Sequence, residues 1–159
     1  MAAQRGVYTV SFSEQTIASA SGDYDLFELD AAAEKPIEII AVLLGNKSEI
    51  GDAQDEMLSI NIVRGNTTTG NGTSTTPRPL DASDGAASFT AETVGSTPAS
   101  AGTAVTLVAD TFNVRGGLSW LFPEAMRPKT QGADLLCVRL TSAATDDLTL
   151  SGTAWVREL

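Results

Sequence analysis

The 159-residue chain carries twenty acidic and ten basic residues, a formal net charge of −10, 42% apolar residues, a single cysteine and no histidine. That length and composition describe one globular domain able to bury roughly 70% of its unfolded surface, and the negative field, relieved by no Lys/Arg cluster, argues against nucleic-acid and anionic-membrane partners. One cysteine excludes an intrachain disulfide, and the lack of histidine removes Ser/His and Cys/His nucleophile pairs and imidazole metal ligands.

Taken in order, Met1–Gly6 has no basic-then-apolar leader pattern, which predicts a soluble chain made in a cytosol. Val7–Phe12 alternates as an edge strand, Gly22-Asp23 reads as a turn, and Tyr24–Leu29 is a second strand. Asp30–Lys35 is too short for a stable helix and is closed by Pro36, so it is read as a connecting loop. Pro36–Leu44, the most hydrophobic stretch, is the expected central strand, yet it is far too short to span a bilayer. A polar, acidic loop follows over Asn46–Gln54, then a strand over Leu58–Val63.

Gly65 to Ala104 changes character. Its Thr/Gly/Ser/Asn-rich run to Pro79 offers almost no side chain to bury, which predicts a loop-rich, exposed and mobile insertion, interrupted by one short strand near Phe89 and Ala91. Strand character returns over Ala104–Asn113 and Leu118–Phe122, separated by a Gly116-Gly117 turn, and Pro123–Pro128 is turn-forming. In the last quarter, Leu136, Val138 and Leu140 share one face, opposite Leu135, Cys137, Arg139 and Thr141. Leu148, Leu150, Gly152, Ala154 and Val156 then share another, opposite Thr149, Ser151, Thr153, Trp155 and Arg157. The polar Ser142–Asp147 connector predicts a hairpin between these two runs. About eight or nine strands and no helix longer than a turn predict an all-β, two-sheet sandwich of one domain, with the strand number favouring a single jelly roll over a closed barrel.

Only carboxylates could carry catalysis, and the clusters Asp23/Asp25, Asp52/Asp55/Glu56 and Asp146/Asp147 are read as solvated surface. The acidic stretch Glu49–Glu56 lacks the twelve-residue EF-hand spacing, so no metal or other cofactor is expected. Cys137 is read as a small buried hydrophobe and Trp120 as core. Trp155 falls on the Thr/Ser face of the last strand beside Thr153 and Arg157, where it marks either a subunit interface or local packing.

Several strings together are similar to a group of small virion proteins of tailed bacteriophages: Gly51–Leu58, Val63–Gly70, Phe89–Thr93, Phe112–Arg115, Pro123–Pro128 and Leu148–Thr153. The resemblance runs from about Tyr8 to Glu158 in the same order. It implies a non-enzymatic capsid cement or decoration protein, a jelly roll assembling as a homotrimer on the exterior of the virion and bridging subunits of the major capsid protein. On that reading the subunit interface falls on Trp155, Thr153 and Arg157. Capsid contacts are sought in the N-terminal arm (Ala2, Ala3, Gln4, Arg5) and in Thr67, Thr68 and Thr69 of the insertion. The competing reading is a carbohydrate- or host-surface-binding jelly-roll module of a head fibre or tail, for which two Trp and two Tyr are a thin supply of aromatic platforms.

Overall fold

The structure is a computed structural model that describes residues 6–19, 22–48 and 55–159. Twelve strands lie in these residues, nine of them four residues or longer, with one 3-10 turn at Glu124–Met126. Sheet A contains β1 (Val7–Ile17), β3 (Ile37–Asn46), β6 (Arg78–Pro79), β9 (Leu118–Leu121), β10 (Lys129–Thr130) and β12 (Leu148–Glu158), in the order β10-β3-β12-β1-β6 with β9 also on β3. Sheet B is β5-β7-β2-β11-β4-β8, formed by β2 (Tyr24–Asp30), β4 (Met57–Asn66), β5 (Thr73–Thr75), β7 (Thr90–Gly95), β8 (Val105–Asn113) and β11 (Leu135–Leu140). Every pairing is antiparallel, and the two sheets pack face to face as a β-sandwich.

The period-two pattern of β12 sets the inner face of sheet A. Leu148, Leu150, Gly152, Ala154 and Val156 are all buried, while Thr149, Ser151, Thr153, Trp155 and Arg157 alternate with them on the half-exposed outer face. Val10 and Phe12 of β1 and Ile37, Ile39, Val42 and Leu44 of β3 join that inner row. Facing them are Phe27 and Leu29 of β2, Leu58, Ile60 and Ile62 of β4, and Leu136, Val138 and Leu140 of β11. Burying each such side chain contributes about 1.5–3 kcal/mol, and together they are what holds the sheets against each other. Phe12 and Phe27 cross the gap between sheets with ring centroids 5.2 Å apart. Gly152 makes room for that contact, because a Cβ there would sit 2.9 Å from the Phe12 ring and 2.8 Å from Leu44 Cδ2.

The expected closing hairpin is not formed. β11 lies between β2 and β4 in sheet B, whereas β12 lies between β1 and β3 in sheet A. Alternation tells which side chains share a face but not which strand is the hydrogen-bonded neighbour, and two strands with apolar faces can bury them equally well by facing each other across a core. The connector therefore crosses from one sheet to the other and closes one end of the sandwich. Ala144 is buried in the core, the Thr141 amide donates to Ser59 O at 2.9 Å, and Glu56 Oε1 accepts from the Thr145 amide and hydroxyl.

The insertion is also better packed than its composition suggests. β6 pairs with β1, β5 and β7 widen sheet B beyond β2, and Phe89, Ala91 and Ala99 are buried. Its base is pinched where Thr67 and Thr68 donate to Ser100 O and Ser100 donates back to Thr68 O. Gly65 and Gly102, both with positive φ (93° and 65°), permit this approach: a Cβ on Gly102 would lie 2.2 Å from Gly65 O.

Candidate interaction surface

The outer face of sheet A follows from the registers of β1, β12, β3 and β9. Trp155 stands between Thr9 and Ala41, with Leu121 beyond Ala41; Thr153 stands between Ser11 and Leu43, with Ser119 beyond Leu43. Arg157 stands between Val7 and Glu38, with Lys129 beyond Glu38. Val7, Ile40, Leu43, Leu80, Leu121 and Trp155 line a groove of about 500 Å³ on this face. Leu121 is 77%, Leu80 60% and Leu43 47% exposed, so large apolar side chains converge on the groove and no element of the described chain covers them. Trp120, expected in the core, is half-buried and packs against the edge of the core, where its Nε1 donates to Asp110 Oδ2 at 3.1 Å and its ring packs on Phe122.

An ionic knot borders the groove. Glu38 is 1% exposed and meets Arg127 at 2.8 Å, Lys129 at 3.1 Å and Arg157 at 3.5 Å. Burial works to raise the Glu38 pKa, but the hydrogen bonds and charges of Arg127 and Lys129 prevail and hold it below the usual carboxylate range. Arg157 is thereby held at the edge of the apolar groove.

The outer face of sheet B is closed by the insertion. Asp25, expected on a solvated surface, is 1% exposed: Arg139 reaches it through Nε at 2.5 Å and Nη2 at 2.9 Å, and the Ala99 amide donates to it at 2.7 Å. Arg139 Nη2 also donates to Ala99 O at 3.0 Å, and Asn66 Nδ2 donates to Ala101 O at 3.0 Å. Beside this pair Glu28, 3% exposed, accepts from the Gly70 amide at 3.0 and 3.1 Å. Burial, reinforced by Asp25 and Glu92, pushes the Glu28 carboxyl up to about 7. Cys137 is buried as expected, and burial together with the neighbouring carboxylates pushes its thiol well above the ordinary range. Asp25, Glu28 and Cys137 bring ligand-type atoms within 4.8 Å of one another. Arg139 and Ala99 already occupy the Asp25 oxygens and the thiol is held protonated, so the trio fastens the insertion and does not form a cation cage.

Trp155, Thr153 and Arg157 thus share one face of sheet A. Thr67, Thr68 and Thr69 are exposed on the insertion that covers sheet B, away from that face. Ala2, Ala3, Gln4 and Arg5 lie outside the described residues. Sequence reasoning missed the exposed Leu80 and Leu121, and the buried carboxylates Asp25, Glu28 and Glu38. One signal was present for Asp25: a single cation, Arg139, in an otherwise apolar strand implies a buried anionic partner. Among the described residues no helix is long and apolar enough to cross a membrane. Comparison of the chain with family models, with curated proteins and with solved structures returned no match.

Proposed function

We propose that this chain is a structural virion protein: it decorates and stabilises a tailed-phage capsid, self-associating as a trimer and bridging major capsid subunits. The observation that carries the reading is the uncovered apolar face of sheet A around Trp155. Contiguous exposed apolar surface of this kind marks a contact surface. A second copy of the chain is the occupant, because Trp155 supplies a flat aromatic anchor, the exposed leucines surround it, and the Glu38 knot fixes cations at the margin, the arrangement of an apolar centre with a polar rim. The resemblance of the six sequence strings to phage head proteins supplies the virion context. The strand neighbours β1-β12-β3-β9 in one sheet and β2-β11-β4-β8 in the other support a jelly-roll frame, with β5–β7 inserted between β4 and β8.

In this reading the exposed side chains of Thr67, Thr68 and Thr69, on the opposite sheet, contact the capsid while the Trp155 face holds the trimer together. Each added trimer contributes burial across joints between capsomers, and many copies multiply a modest energy per contact. Light scattering on a dilution series tests the self-association. The expected mass is about three times the 16.5 kDa protomer, and Leu121→Glu, a change on an exposed side chain, converts it to a folded monomer. A wild-type monomer at every concentration overturns the trimer, and failure of the protein to co-sediment with undecorated capsids overturns the capsid role.

A further inference from the structure

We propose that Glu28 and Glu92 form a proton-dependent latch: one proton shared between their carboxyls holds the loop around Gly70 down on sheet B, and loss of that proton releases it. The inference stands on the buried cluster beneath the insertion and is independent of the capsid reading. Glu28 and Glu92 are directly paired across β2 and β7, so the two side chains are neighbours on one face of the sheet. Glu92 Oε2 is buried without a hydrogen-bond partner, and Glu28 is almost completely buried with the Gly70 amide as donor to both its oxygens.

The charges around Glu28 explain why a proton is needed. Asp25 and Asp30 flank it on β2, Glu92 faces it from β7, and Cys137 and Arg139 face it from β11. Arg139 is committed to Asp25 through two hydrogen bonds, and among the described residues no cation forms an ion pair with Glu28 or Glu92. The same two glutamates line a cleft of about 230 Å³ with Asp30, Thr69, Ser74 and Thr90. Two like charges on neighbouring positions, with Glu28 and the Glu92 Oε2 atom out of water, are unfavourable. A protonated Glu28 resolves both problems, because its O–H can donate to the orphan Glu92 Oε2 while its other oxygen still accepts from the Gly70 amide. The raised proton affinity of Glu28, with a pKa near 7, agrees with this arrangement.

The linkage sign follows. If opening the loop returns Glu28 to water and to an ordinary glutamate pKa, the closed form binds the proton more tightly, and raising the pH opens the loop. For a closed-form value near 7 the opening constant rises about tenfold between pH 6 and pH 8. Hydrogen exchange read by mass spectrometry across that range, corrected for intrinsic exchange, measures it on the segment 66–72, with β12 as the internal reference. Glu28→Gln carries a permanent N–H donor toward Glu92 and is expected to keep the segment protected, with opening independent of pH within about twofold. Glu92→Gln removes a charge that raises the proton affinity of Glu28 and is expected to move the transition to lower pH, or to abolish it where the new amide donates to Glu28. A wild-type segment that does not respond between pH 6 and pH 8, or a Glu28→Gln protein that responds as wild type does, overturns the latch. Should the variants fail to fold, carbon-detected NMR titration of the wild-type Glu28 carboxyl decides it: a midpoint near 7 supports the latch and one below 5 overturns it.

Discussion

Replacing Arg139 by Met is the sharpest perturbation of the fastening between insertion and sandwich. The side chain is 12% exposed and its partner Asp25 1%, so both charges are largely out of water. Methionine keeps the apolar stem but leaves the Asp25 carboxylate buried with the Ala99 amide and the weakly donating Cys137 thiol, and takes the Arg139 bond from Ala99 O as well. Breaking one partner of a buried pair costs about 3–5 kcal/mol, against a total stability on the order of 5–15 kcal/mol. For a chain of this length that corresponds to a fall in Tm of roughly 6–20 °C. Urea unfolding followed by tryptophan fluorescence measures the loss, and hydrogen exchange on segment 96–101 shows whether it begins at the insertion. Lys47→Met is the internal control: its bond to Glu14 is shorter than most at 2.6 Å, yet the side chains are 66% and 56% exposed. That change should cost under about 1 kcal/mol. Should Arg139→Met cost no more than Lys47→Met, burial is not what gives the Asp25 pair its strength and the account of the insertion's docking is wrong.

Gly152→Val forces a branched side chain into the space taken by the Phe12 ring and Leu44, and is expected to destabilise by at least about 1–3 kcal/mol in urea titration; a neutral result means the inner face has slack that the packing does not show. Stability against pH should peak in mild acid. Glu28, with its folded pKa raised to about 7, contributes stability present below the ordinary glutamate value and lost as the pH rises through 7, at most about 3 kcal/mol, while Glu38, held low, contributes stability lost as the pH falls below that ordinary value. Thermal melts from pH 4 to 8.5 check this, and a maximum above pH 7.5 contradicts it. Native Cys137 should resist iodoacetamide and react fully once urea exposes it, since it is buried and held protonated; rapid labelling of the folded protein contradicts that placement.

Much of the architecture was legible because period-two alternation is a local property. The strands over Val7–Phe12, Tyr24–Leu29, Leu58–Val63, Ala104–Asn113 and the two closing runs all stand within a few residues of their observed positions, and Trp155 lies on the predicted face of β12. Composition was a poorer guide to the insertion: polar Thr/Gly/Asn stretches were read as unpacked, whereas β5, β6 and β7 form there and backbone amides of Gly70 and Ala99 dock onto buried carboxylates.

The chain by itself determined that the protein is all-β, which side chains of each strand turn inward, and that no disulfide or histidine chemistry is available, because these depend on neighbours in sequence or on counts. Which strands pair was decided by tertiary structure alone, as β11 and β12 show by facing each other across the core instead of joining edge to edge. The same holds for the candidate sites. Leu80 and Trp155 are 75 positions apart, and Asp25 and Arg139 114 apart, yet each pair meets in one place. No local pattern encodes such meetings; they arise when two twisted sheets close over a shared core and bring distant loops together at their outer faces.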